Sequence, residues 1–584
     1  MPMRSAPFGA KVPMEPVLLE VEYCHMLDDV CTPGADEHVA RKATARTSDA
    51  AWDAVCKVTQ KLWFSDAGDE RSAKAAHQSA LQEDDIALDV SFDGGVLQVK
   101  AKASNPVILQ AIRVTFRHAF SSDEFVLVNG YQSWTETTER PAWSGGRLLP
   151  NVPARLAKRF ASDSRADDAK ENFAPKRGVR HGFTYATFRR GNGMVLVGSL
   201  DESRGFTEIW TDAGKGEVHV EPECPARPLE AHEATTLLRC AVVRGTMKRC
   251  YDRWFELMGI DARPAKPLVG YTSWYKYFDR IDHESLERDL ENAREFFESS
   301  VSLDLHGVNK VFLVEDGFCR VGDWLHVNEE KFSGGMRSLA RRIADAGFIP
   351  GLWVAPFICA KDSRVFEERP EWLVRDDAGD PVQVSDYWGG AYALNTRDVD
   401  VRSYILQVLQ TFTREWGFRL VKVDFLYGAC MRAHDGMNCG QLMADAVDLL
   451  RTGVGHDVLL LGSGVPLASG FGKLDYCRIG PDVSAEDSLT LPVRLPVRER
   501  ASAKSALANT YARAPLDGRA FGNDPDAVFL GSAAKLSDAQ KDELLFANAD
   551  LGRVLLISET MASWNANACS RYMRALETLI ERNV

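Results

Sequence analysis

The sequence predicts a multidomain β plus α/β protein, with a β-sandwich domain over residues 1–262 and a (β/α)8 TIM barrel over residues 263–584. Three observations predict it. At 584 residues the chain is too long for one ordinary core. Up to about residue 260 it is a series of short alternating segments broken by turn residues. After Pro264 the rhythm changes to strand, loop, helix.

In the first half, residues 88–92, 96–100, 108–120, 194–198, 217–221 and 235–243 read as strands. Asp93-Gly94-Gly95, Ser104-Asn105-Pro106 and Gly191-Asn192-Gly193 separate some of them as turns. Many short strands at this spacing make a large sandwich. Residues 51–64 read as a helix. In the second half, the strand at 268–274 is followed by a helix from Asp282, with Glu284 and Glu287 in its first turns. Strand 310–314 precedes a helix over 335–346, and strand 348–354 comes next. Helix 399–416 leads into strand 420–424, helix 439–452 into strand 458–462, and a strand at 474–479 follows. Alternation of this kind builds a parallel sheet, and its length suits a closed barrel.

Composition excludes several classes. A net charge of −13 with pI near 5.5 argues against nucleic acid or an anionic membrane as the main partner. No run approaches the roughly 20 apolar residues of a membrane span, and Met1-Pro2-Met3-Arg4 does not open a secretory signal. The 12 cysteines lack paired spacing, which is expected of reduced thiols in a cytoplasmic protein. The 12 histidines form no His-Glu-x-x-His pattern and there is no Cys-x-x-Cys pair, so no metal site is expected. Gly462-Ser463-Gly464 fails as a dinucleotide loop, because Leu467 stands where the third glycine belongs. No cofactor is expected.

Barrel chemistry collects at the C-terminal ends of the strands. Trp274, Glu315, Asp316, Trp353, Lys422, Asp424, Ser463, Arg478 and Asp482 all fall at or just past such ends. On a strand, Lys422 and Asp424 share one face and Val423 takes the other. If that face lines the barrel mouth, the ammonium holds the carboxylate ionised and oriented, as suits a nucleophile. The same residues also suit a structural Lys–Asp pair. In Arg478-Ile479-Gly480-Pro481-Asp482 the Gly-Pro turn aims Asp482 back across the mouth, where partial desolvation suits a general acid. An Asp satisfying turn amides is the other reading. Glu315 and Asp316 suit sugar hydroxyls, and two of Trp274, Trp324, Trp353 and Trp388 are expected to reach the site, the others serving the core. Two carboxylic acids at neighbouring strand ends are what a retaining glycosidase needs.

The blocks Asn129 to Trp134, Gly270 to Tyr275, Phe312 to Asp316, Gly322 to Trp324 and Ile349 to Phe357 stand in the order of a known family. Glu371 to Leu373, Tyr392 to Leu394, Lys422 to Phe425, Gly462 to Pro466, Arg478 to Asp482 and Asn523 to Asp526 continue it. With these blocks the chain resembles family 36 glycoside hydrolases, the microbial α-galactosidase family. The resemblance implies an N-terminal β-supersandwich, a (β/α)8 barrel and retaining double displacement on a terminal α-galactoside, with no metal or organic cofactor. It implies Asp424 as nucleophile and Asp482 as acid/base. Glu315, Asp316, Trp324, Lys422 and Arg478 would line the glycone subsite, with Ser463 and Gly464 in the block that faces the sugar's C2 group and Trp274 and Trp353 as candidates to stack on the ring. In the family the N-terminal domain sometimes reaches a neighbouring subunit's site, and Trp134 is the residue expected to do so. Family members are commonly oligomers, so a homo-oligomer is an expectation, while nucleic acid and membrane are not expected partners.

Departures from the family pattern bear on substrate. Glu315 replaces the usual aspartate, and Ser463 stands where cysteine is common opposite the sugar's C2 group. α-N-Acetylgalactosaminide or galactosaminide is therefore an alternative substrate, and transfer to a sugar acceptor or binding without catalysis are further alternatives. No aromatic residue follows Asp482 through Ser488. The family's C-terminal β-domain is expected to be absent.

Overall fold

The computed structural model describes residues 14–25, 56–61, 76–77, 86–144, 176–261, 265–299, 301, 303–483, 502–531 and 535–583. The expected boundary between residues 262 and 263, and residues 484–488, lie outside these. The first half forms two seven-stranded antiparallel sheets. One runs in the order 76–77, 56–61, 15–25, 107–117, 217–222, 207–212, 179–183; the other in the order 86–93, 96–103, 234–245, 193–199, 185–190, 125–128, 140–141.

Alternation explains why these sheets pack face to face. In Val96–Ala103 the side chains of Leu97, Val99, Ala101 and Ala103 are buried, while Gln98, Lys100 and Lys102 point outward. They meet Val114, Phe116, Val218 and Val220 of the opposite sheet in one apolar core. The hairpin before this strand turns on Gly94 and Gly95 at φ +55° and +82°, and a Cβ on Gly95 would lie 2.8 Å from the Val242 carbonyl oxygen. The helix expected over 51–64 is corrected in its described part: Cys56–Lys61 is a strand paired antiparallel with Leu18 to Tyr23. Thr59 and Val58 are β-branched and stiff, and an open sheet edge was available to them.

Helix Met247–Met258 joins the halves. Thr246 caps its first turn, and Gly259 ends it in the left-handed region at φ +66°. Its buried face carries Trp254, whose Nε1 donates to Ser199 O at 2.9 Å, and Phe255, whose ring meets Phe471 of the barrel at 5.1 Å.

The barrel strands are β1 (Leu268–Thr272), β2 (Asn309–Val314), β3 (Ile349–Val354), β4 (Leu420–Val423), β5 (Leu459–Gly462), β6 (Tyr476–Arg478), β7 (Gly522–Asp524) and β8 (Val554–Ile557). Every neighbouring pair from β1 to β7 is parallel, and β8 pairs with β1. Arg553 N donates to Asn523 O at 2.8 Å and Val528 N to Leu556 O at 2.9 Å, which closes β7 onto β8. Leu268, Val311, Leu313, Leu420, Leu461, Tyr476, Val554 and Leu556 form the inner plug. Two residues beyond Leu313, Leu420, Leu461, Tyr476 and Leu556 stand Glu315, Lys422, Ser463, Arg478 and Ser558, with Thr272 and Asp524 at the ends of β1 and β7, so the alternation that fills the barrel's base also delivers polar groups to its top.

Two irregularities shape that top. The helix expected over 399–416 is α-helical for Val399–Gln410 and widens into a π-turn at Thr411–Trp416. Between β3 and that helix, strands Ile358–Ala360, Gln383–Ser385 and Ala391–Ala393 form a small antiparallel sheet carrying Trp388.

Candidate active site

Asp424 is the residue after β4. Its N–H continues the strand ladder to Val354 O at 2.9 Å, and the chain then breaks away at Phe425 with φ +52° and ψ +36°. This left-handed conformation is costly for a phenylalanine, by about 1–3 kcal/mol. It turns the Phe425 N–H back onto Asp424 Oδ1 at 2.9 Å. Trp353 Nε1 donates to the other oxygen at 3.0 Å. Asp424 is 8% exposed with both oxygens held.

The sequence pairs Lys422 with Asp424, and here the structure corrects it. Lys422 Nζ donates to Glu315 Oε1 at 2.8 Å, from β2 rather than from its own strand. Burial opposes the ammonium, but Glu315 first and Asp424 second outweigh it and hold Lys422 above its ordinary value. Glu315 Oε1 also accepts from Thr272 Oγ1 at 2.9 Å, and the Ser273 hydroxyl accepts the Glu315 N–H at 3.0 Å. Asp316 turns the other way, accepts Trp388 Nε1 at 2.8 Å, and is pushed up to about 6 by burial.

Asp482 lies on the far side. Arg478 Nη2 donates to its Oδ1 at 3.2 Å and Trp274 Nε1 to its Oδ2 at 3.3 Å. Its side chain is 43% exposed, so the desolvation expected from the sequence is largely missing. Arg478 is 3% exposed, and Nη2 also donates to Asp526 Oδ2 at 2.8 Å. Asp526 and Tyr275, which donates its hydroxyl to Asp526, were not singled out from the sequence as site residues. The signal was present in the Asn523-Asp-Pro-Asp526 block and in the Tyr that follows Trp274.

Indoles line the space between. Trp353 meets Trp388 at 6.2 Å and Trp324 at 5.7 Å, while Phe278 stands edge-on to Trp274 at 5.3 Å. Trp324 is 1% exposed and packs against Trp353. Trp134 reaches in from the sandwich of the same chain. Its Nε1 donates to Ser463 Oγ at 2.9 Å and its ring packs edge-on against Phe425 at 5.0 Å. Its loop is pinned by Ser133, whose N–H donates to Val465 O at 2.9 Å and whose hydroxyl accepts Gly464 N–H at 2.8 Å. Gly464 sits at φ +60°, and a Cβ there would lie 3.1 Å from the Trp134 ring. Among the described residues no group of three or more His, Cys, Asp or Glu side chains is placed to hold a metal.

Residues 303–431 match the melibiase family. The structure is similar to the α-galactosidase of Thermus thermophilus solved with p-nitrophenyl α-D-galactopyranoside, at TM-score 0.65 and 23% identity, covering 84% of this chain and 94% of that one. It is also similar to the GH36 α-galactosidase AgaA of Geobacillus stearothermophilus, at TM-score 0.56 and 11% identity, covering 90% and 70%. In sequence, 134 residues are 29% identical to the A type blood α-D-galactosamine galactosaminidase of Flavonifractor plautii, covering 21% of this chain and 12% of that protein. The chain spans between 7% and 35% of the length of the curated relatives it matches. At these structural identities the likeness speaks to architecture. The chain carries a melibiase-family domain, and its fold is that of the GH36 α-galactosidases.

Proposed function

We propose that the chain is a retaining exo-α-galactosidase-like hydrolase in which Asp424 is the nucleophile and Asp482 the acid/base. The observation that carries this is the contrast between the two carboxyls at the mouth of one barrel. Asp424 is buried with each oxygen fixed by an N–H donor, so its attack on an anomeric carbon needs little reorganisation. Asp482 is half exposed, as the second group must be, because the leaving group departs past it and water then enters at the same place. Asp482 protonates the departing oxygen in the first step and deprotonates water in the second. Glu315, Asp316, Lys422 and the indoles of Trp274, Trp353 and Trp388 bind the sugar between them, and Trp134 with Ser463 closes one side. The reading requires a carboxyl separation of about 5–5.5 Å in the complex with substrate.

A second substrate reading has its own support in the match to the galactosaminidase and in Ser463 held by Trp134. The test is release of p-nitrophenol from the α-galactoside, the α-N-acetylgalactosaminide and the α-galactosaminide, with Asp424→Asn as control. Turnover of the first supports the main reading, and turnover of only the amino sugars supports the second. Cleavage of none by the wild type overturns both.

A further inference from the structure

We infer that Asp526 is a positioning residue for Asp482, acting through the guanidinium the two share and through the backbone next to Asp482. The inference rests on the acid/base reading of Asp482. Arg478 Nη2 divides between Asp526 at 2.8 Å and Asp482 at 3.2 Å, and the shorter bond goes to the deeper carboxylate. Asp526 is 7% exposed. Its Oδ2 also accepts the N–H of Val483, the residue after Asp482, at 2.8 Å, together with the Tyr275 hydroxyl. Asp526 is itself rigidly set. Its backbone stands at φ +91°, its N–H donates to Asp524 Oδ1 at 2.9 Å, and its carbonyl accepts Asn548 Nδ2 at 3.0 Å. One fixed carboxylate thus holds both the cation that faces Asp482 and the chain that carries it.

The groups facing this cluster are Tyr275 from the turn after β1, Arg478 and Asp482 from β6 and its turn, and Asp524 and Asp526 from β7 and the residues after it. Lys422 of β4 acts on Asp524 and Arg478 from across the barrel. Burial pushes Asp526 up to about 6 against the pull of Arg478. Above that pH the Asp526 charge offsets Arg478, so the guanidinium does not draw the proton off Asp482 before it is delivered to the leaving oxygen. Without that charge, Arg478 pairs with Asp482 alone and favours its ionised form.

The experiment measures kcat/KM against pH for methyl α-galactoside, whose leaving group needs a proton, and for 2,4-dinitrophenyl α-galactoside, whose leaving group does not. In Asp526→Asn the alkaline limb for the methyl glycoside moves to lower pH by roughly one unit. At pH 7 that substrate loses up to about tenfold while the dinitrophenyl substrate loses less than about twofold. Tyr275→Phe removes a donor that stabilises the Asp526 anion and moves the limb the same way by less. Its ring keeps its packing on Phe529 at 5.2 Å, so it carries the test if Asp526→Asn does not fold. A limb that stays in place, or equal losses for both substrates, overturns the role of Asp526 and leaves the reaction standing. A wild type that cleaves neither glycoside overturns the reaction itself and the role of Asp526 with it.

Discussion

The two sides of this barrel mouth hold their carboxylates by different means. On the β2–β4 side, Asp424 is enclosed and its partners come from rigid strand ends: the Trp353 indole, and the Phe425 amide turned inward by a strained backbone. On the β6–β7 side, Asp482 rides on a Gly-Pro turn, stays half exposed, and shares a single guanidinium with Asp526. The difference teaches that one side is built for fixed geometry and the other for proton traffic, which needs access to a leaving group and to water.

The sharpest way to break that contrast is to remove each carboxylate and supply an external nucleophile. Asp424→Gly loses activity by about four orders of magnitude or more, since no covalent intermediate forms. Azide then enters from the vacated side and gives the β-galactosyl azide, with inverted configuration. Asp482→Gly loses roughly 10²–10⁴-fold on poor leaving groups and much less on activated ones. Azide intercepts its glycosyl-enzyme and gives the α-galactosyl azide. NMR of the two products checks the assignment, and the same anomer from both variants sinks it.

A smaller effect tests the buried floor beside Asp424. Asp316 is raised by burial to about 6, from an ordinary value of 3.8. The folded state therefore binds more protons than the unfolded state between those values, so stability falls as pH rises from 4 to 6. The cost at neutral pH is about 3 kcal/mol. Asp316→Asn removes the ionisation and leaves an oxygen to accept the Trp388 indole N–H. Thermal unfolding should show the variant more stable than wild type at pH 7, with the gain gone by pH 4. A pH-independent difference would show that Asp316 is not the titrating group.

Much of the Asp424 side was legible in the sequence because it obeys strand alternation. Leu420, Lys422 and Asp424 face inward and Val421 and Val423 outward, as period two requires. The partner of Lys422 was not legible, because a contact between β2 and β4 is set by barrel curvature and no local pattern records it. The contact between the Trp324 and Trp353 rings, 5.7 Å apart, joins residues of different loops and strands, and no local pattern records it. The Asp482 side was less legible still. β7 is three residues long and Asp526 follows a proline at positive φ, so neither periodicity nor propensity marks it. Residues 56–61 form a strand because the sandwich strand Glu15–His25 offers an edge, which is a tertiary fact.

The smallest predicted effect concerns the reach of the sandwich into the barrel. Trp134 belongs to the first half of the chain, yet its indole N–H is the donor to Ser463 Oγ, and its ring stands edge-on to Phe425 at 5.0 Å and Tyr427 at 5.5 Å. Trp134→Phe keeps an aromatic edge there and deletes only the donor. A neutral hydrogen bond contributes about 0.5–1.5 kcal/mol net. The Ser463 hydroxyl, 1% exposed, then loses the indole donor and is free to turn toward the substrate. If the pair shapes the sugar site, KM rises by a few-fold to about tenfold with kcat little changed, and the ratio of galactoside to amino-sugar turnover shifts. If Trp134 serves only to dock the two domains, thermal stability falls while KM and that ratio stay where they were.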